Sequence, residues 1–193
     1  MRIVGGIEAG VNEFPMMAAL ANPVTRRPIC GATIISRRYA VTAAHCLSLG
    51  NPDRVRLGLL VGEHDISTDE ETTSAKLYNI TQIIIHPNYK NVREGNDIAL
   101  VKVGHSDADG IQFGKNVGPV CLPFRYLTES FSAERVIALG WGVVKFEGVP
   151  SDALKVSFLS VEPLQSCIEA YKGKVNYGQI CTLRNRGDTC KVM

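Results

Sequence analysis

Short apolar segments broken by glycine, proline and small polar turns constrain this chain more than any other feature of its sequence. Ile29 to Ile35 and Tyr39 to Thr42 are two such runs, separated by Ser36-Arg37-Arg38. Val55 to Gly62 is a third and ends in glycine; Leu77 to Ile85 is long, rich in β-branched residues and closed by His86-Pro87. Ile98 to Val103 reads as a continuous apolar run, the pattern of a strand buried on both faces. Strands resume at Arg135 to Val144 and Leu154 to Val161. Two stretches read as helix: about one turn at Ala43 to Leu47, and Pro163 to Tyr171 with proline in its first turn. The pattern predicts an all-β barrel or sandwich. A loop region from Gly104 to Pro123 divides the strands into two similar halves, read as two β-barrels with a linker between them. The 193 residues are enough to bury such a core. A net charge of +2 gives no basis for a nucleic-acid or anionic-membrane partner. No apolar run approaches the roughly 18 residues a membrane-spanning helix needs.

Six cysteines are many for a cytosolic enzyme, and none stands in a C-x-x-C pair, which argues against zinc ribbons and thioredoxin-type redox sites. Disulfides in an oxidising compartment are expected, buried free thiols being the alternative. The opening Met1-Arg2-Ile3-Val4-Gly5-Gly6 is no signal peptide. That conflicts with an oxidising destination unless the start of the protein is missing or the sequence was cut for expression.

Three motifs narrow the reading. Ile3-Val4-Gly5-Gly6 continues as Glu8-Ala9-Gly10 and Asn12-Glu13-Phe14-Pro15; Val41-Thr42-Ala43-Ala44-His45-Cys46 follows; then comes Asn96-Asp97-Ile98-Ala99-Leu100. With Gly140-Trp141-Gly142 and Gly187-Asp188-Thr189-Cys190, their order and spacing resemble the trypsin/chymotrypsin family of serine proteases, S1, over nearly the whole chain. Phe14-Pro15-Met16-Met17 and Leu60-Val61-Gly62-Glu63-His64-Asp65 are similar to insect venom and haemolymph members. The resemblance implies two Greek-key β-barrels of the trypsin-like type, the second incomplete. Residues 1–2 would be a pro-peptide remnant and 3–193 one peptidase domain. Its N-terminal barrel would lie at about 15–105, the linker at about 106–125 and a partial C-terminal barrel at about 126–193.

A lone histidine is more often structural, but in its Thr-Ala-Ala-His-Cys context His45 matches the family's general base, and an imidazole suits proton transfer near neutrality. Asp97 matches the carboxylate that fixes the histidine tautomer. Its alternative is a turn aspartate at a strand start, but the following Ile-Ala-Leu is expected to bury it, and a buried carboxylate needs a partner. Asp188 resembles the carboxylate at the base of the specificity pocket, selecting arginine or lysine, with a surface loop acid as the alternative. Arg2-Ile3 resembles the activation cleavage site, with Ile3 as the new N-terminus. The nucleophilic serine of Gly-Asp-Ser-Gly-Gly-Pro has no counterpart: Asp188-Thr189-Cys190 runs into Lys191-Val192-Met193, and Ser36, Ser160 and Ser166 stand in other contexts. The chain is therefore expected to be truncated and inactive as written. Lys-Val-Met is encodable as AAG-GTA-ATG, a splice donor with intron following. A non-catalytic protease homologue acting as a binding module is the other reading, and a misfolding fragment a third.

The resemblance pairs Cys30 with Cys46 and Cys167 with Cys181. It leaves Cys121, similar to a cysteine that tethers pro-regions, and Cys190, whose partner lies in later loops. Pairing of Cys121 with Cys190 is the rival. Secretion, a monomer, protein or peptide substrates and protease inhibitors as partners are implied. No cofactor is expected. Glu63, Asp65 and Asp69-Glu70-Glu71 lie where some family members bind calcium, but without clear ligand spacing a solvated acidic loop is the favoured account. Asn79-Ile80-Thr81 is a glycosylation sequon within a strand-like run, its occupancy open. His86 is read as structural; His64 and His105 have no nameable partner.

Overall fold

A computed structural model of the chain describes residues 5–48, 57–68, 72–126, 129–144 and 148–183. Along them run the strands β1 (Ile7–Glu8), β2 (Met17–Ala21), β3 (Pro28–Ile34), β4 (Tyr39–Thr42), β5 (Gly58–Val61), β6 (Lys76–Ile85), β7 (Ala99–Val103), β8 (Arg135–Gly140), β9 (Lys155–Glu162) and β10 (Cys181–Leu183). Helix α1 (His45–Ser48) follows β4 and α2 (Leu164–Ala170) follows β9. Strands β2 to β7 close into an antiparallel barrel in the order β2-β3-β4-β7-β6-β5. In the second sheet β9 pairs with β8, β1 and β10.

The barrel closes because period-2 alternation sends one set of side chains inward. Ala18, Leu20, Leu59, Val61, Tyr78, Val101 and Val103 meet in its interior. The opposite faces of β2 and β5 are buried too: Met17, Ala19, Ala21 and Leu60 pack with Leu154, Val156 and Trp141 from the second sheet. Strands covered on both sides need small outward residues where another layer approaches, hence the alanines of β2. Gly62 turns the chain after β5 with φ +66°; a Cβ there would meet the Ser74 carbonyl oxygen at 2.5 Å, so glycine is required.

The seam also carries polar bonds. The Trp141 indole N–H donates to the His64 carbonyl at 2.8 Å. The Leu154 N–H donates to the same oxygen at 2.9 Å. Lys155 Nζ bonds Glu8 Oε2 at 3.0 Å, and buried His64 lies with Nε2 3.5 Å from Glu8 Oε1. These contacts, the lysine bond first, hold the Glu8 carboxyl below its usual range. Trp141→Phe keeps most of the packing and loses the indole donor. A loss of about 1 kcal/mol is expected, read from the urea midpoint.

Several elements depart from the sequence reading. β2, β1 and β10 were not foreseen as strands. The run at Val55 to Gly62 is strand only from Gly58 among the described residues, and that at Arg135 to Val144 ends at Gly140. Pro163 is the cap before α2 rather than part of its first turn. β7 is buried on one face, not two: Ala99, Val101 and Val103 point inward, while Lys102 projects outward over the Tyr39 ring. Part of the segment read as a linker also packs on the barrel, which a connection between two bodies can do. Ile111 and Val117 are buried there. The N–H groups of Ile111, Gly118 and Val120 bond the carbonyls of Arg37, Pro15 and Ile34. Apolar residues spaced along an irregular segment bury as well as those in strands, and their backbone groups must then be paired.

Candidate active site

β4 and β7 are barrel neighbours, with Thr42 opposite Ala99. His45 lies three residues beyond Thr42 and Asp97 two residues before Ala99, so antiparallel pairing brings both to one end of the barrel despite 52 residues of separation. His45 opens α1, whose Leu47 anchors in the core and whose Cys46 is joined to Cys30 on β3, Cα–Cα 6.1 Å. Asp97 follows a turn in which Gly95 and Asn96 take φ of +80° and +56°. From beyond α2, Asn176 Nδ2 donates to the Glu94 carbonyl at 3.0 Å and so braces this turn. No motif in the sequence points to that brace.

The two side chains meet through two bonds. The His45 backbone N–H donates to Asp97 Oδ1 at 2.8 Å, and His45 Nδ1 stands 2.7 Å from Oδ2. A carboxylate only accepts, so Nδ1 carries the proton, and in the neutral ring Nε2 then holds the lone pair. Nε2 lies 3.5 Å from Cys46 Sγ, a disulfide sulfur with no proton to give. The His45 side chain is 42% exposed and that of Asp97 25%, and Ile98 is 47% exposed. The expectation that Ile98, Ala99 and Leu100 bury Asp97 is corrected accordingly: only Ala99 of the three is buried.

The cluster of Cys30, His45 and Cys46 places potential ligand atoms within 4.8 Å of one another. The sulfurs are bonded to each other, which removes the thiolates a metal would take. The second disulfide joins Cys167 on α2 to Cys181 on β10, and Cys121 is exposed and free among the described residues. Glu63 is buried and bonded to Arg26 at 3.3 Å, with its Oε1 accepting the His64 N–H. Asp65 Oδ1 accepts two bonds from Ser67. His86 caps a turn, its Nδ1 accepting the Asn88 N–H. His105 gives its backbone N–H to Asp109. Ile3, Asp188, Cys190 and the acidic run 69–71 lie outside the described residues.

The sequence model of the family named Trypsin matches residues 3–191. The chain belongs to the trypsin family. Its trypsin-like fold pairs a closed barrel with a second sheet. Venom serine protease 34 of Apis mellifera is 40% identical over 195 residues, covering 99% of this chain and 46% of that protein. A venom serine protease of Polistes dominula is 40% identical over 192 residues, covering 98% of the chain and 67% of the relative. The structure of neuropsin, a serine protease expressed in the limbic system of mouse brain, superposes with a TM-score of 0.77 at 25% identity, over 98% of this chain and 78% of that one. The chain thus spans about half the length of the Apis relative.

Proposed function

We propose that His45 and Asp97 are the general base and its orienting carboxylate in a secreted trypsin-like endopeptidase that cuts after arginine or lysine, and that the 193-residue polypeptide alone turns over no peptide bond. The contact of His45 Nδ1 with Asp97 Oδ2 at 2.7 Å carries the first part. It leaves Nε2 as acceptor, ready to take the proton of a serine hydroxyl, return it to the leaving amine and have its transient positive charge stabilised by Asp97. Specificity for basic residues rests on Asp188 in Gly-Asp-Thr-Cys, where a carboxylate selects a cationic side chain. Protein or peptide substrates and protease inhibitors are the partners this reading implies.

The second part rests on the nucleophile. The sequence contains no Gly-Asp-Ser-Gly. Ser36 accepts N–H bonds from Arg38 and Tyr39 in a turn, Ser160 lies on β9 and Ser166 in α2. Loss of the serine alone costs about 10⁶ in turnover in the subtilisin triad, which uses the same chemistry. A fluorophosphonate probe is expected to leave the purified 193-residue polypeptide unlabelled, with His45→Ala giving the same blank. Specific labelling at any serine of this polypeptide would overturn the inactivity.

A further inference from the structure

We propose that Asn79 carries an N-linked oligosaccharide. Asn79 is the one asparagine in the sequence followed by the x-Ser/Thr pattern, and Ile80 between is not proline. In the fold it sits on β6 with its side chain outward and exposed. Tyr78 and Ile80, on either side, turn into the barrel core. Leu77, on the outward face with Asn79, packs into the seam against the second sheet. Asn79 lies one step past that seam, where the barrel wall meets solvent.

The exposed Asn79 side chain leaves the sheet toward solvent. Across β5 its partner is Gly58, which has no side chain. On the other side the nearest paired residues are Ile80 and Val103, and Val103 points into the core. Leu77 fills the space over Gly58 and Asp109 that over Gly104, so an oligosaccharide leaves Asn79 outward from the sheet, where its own side chain is exposed. It also stands clear of the catalytic end. Ile85, at the far end of β6, pairs with Ala99 beside Asp97. Six residues of strand at about 3.3 Å each put Asn79 roughly 20 Å from that end.

Glycosylation of Asn79 rests on the secreted reading proposed above, which the Cys30–Cys46 and Cys167–Cys181 disulfides support; in the secretory lumen the sugar donor is a polyprenyl-diphosphate-linked oligosaccharide. In the transfer, the Asn79 amide nitrogen bonds to the anomeric carbon. The bond from that carbon to the diphosphate oxygen breaks, polyprenyl diphosphate leaves with the electron pair, and one amide proton is released. The fold also fixes when this happens. The Thr81 hydroxyl, which the transferase must read, shares its one proton between the carbonyls of Lys102 and Gly104 at a bulge between β6 and β7. The sequon is therefore open only before β7 pairs with β6, while the chain is still entering the secretory lumen.

The test is intact-mass analysis of the full chain expressed behind a cleavable secretion signal in insect cells, read in both the medium and the microsomal pool so that poor export does not hide the result. The expected result is a mass increment of one core oligosaccharide. Enzymatic removal of the sugar in heavy-oxygen water should mark residue 79 as a labelled aspartate. N79Q and T81A abolish the increment, and T81S, which keeps the hydroxyl and its shared bond to the two carbonyls, retains it. An unshifted polypeptide mass in both pools, or an increment that survives N79Q or T81A, overturns the proposal.

Discussion

Asp97→Asn, in a chain extended through a Gly-Asp-Ser-Gly-Gly-Pro segment and the strands that follow it in the trypsin family, is expected to lower kcat by about 10⁴, the loss known for this change in the family's own triad. The geometry gives the reason. Asp97 Oδ1 accepts the His45 backbone N–H at 2.8 Å, and a backbone N–H cannot become an acceptor. In the variant the amide oxygen must therefore stay on that side, and the amide NH₂ is turned toward His45 Nδ1. Facing a donor, Nδ1 becomes the acceptor and the ring proton moves to Nε2. The ring keeps its place but presents a proton where a lone pair is needed. KM for an arginyl peptide should hardly change, because binding does not depend on the tautomer. A loss below ten-fold would show that Asp97 is not the orienting carboxylate.

The pairing behind that prediction was legible as two motifs, because short stretches around His45 and Asp97 are dictated by chemistry. Their exposure was not legible. Ile98 looked like the start of a buried run, yet it precedes β7 and lies beside a turn held at positive φ by Gly95 and Asn96, which aims it outward. β2 was missed for the opposite reason: Met-Ala-Ala-Leu-Ala lacks the β-branched residues that mark strands, and only its burial between two layers makes small residues the fitting choice. Lys102 was absorbed into an apolar run because it is the one polar residue from Ile98 to Val103; the other outward position of β7, Leu100, is apolar and hides the alternation. The partner of His64 could not have been named, since Glu8 reaches it only through the pairing of β1 with β9. The braces from Asn176 to Glu94 and from Trp141 to His64 likewise join residues far apart in sequence through loops without a motif.

Removing both cysteines of the Cys30–Cys46 pair, as Cys30→Ala with Cys46→Ala, is expected to cost about 3 kcal/mol of stability, the chain-entropy value for a loop of this size. The sequence separations of the two disulfides are nearly equal, 16 for this pair and 14 for Cys167–Cys181. Entropy grows only with the logarithm of loop length, so both double substitutions should shift the urea midpoint by similar amounts. Their effects on the site should differ. α1 is four residues long, far too short to hold itself helical. It is kept in place by Leu47 in the core, by the Asp97 bond to the His45 N–H and by the covalent tie at the very next residue. Cutting that tie loosens the segment that presents the imidazole. In the serine-extended chain it should therefore lower kcat well beyond what the Cys167–Cys181 removal does at matched folded fraction. The latter tie joins α2 to β10 and reaches the site only indirectly, through the single Asn176 bond to the Glu94 carbonyl in the turn before Asp97. Equal kcat losses in the two double variants would mean that the disulfide beside His45 serves the fold alone and leaves the orientation of the ring to Asp97.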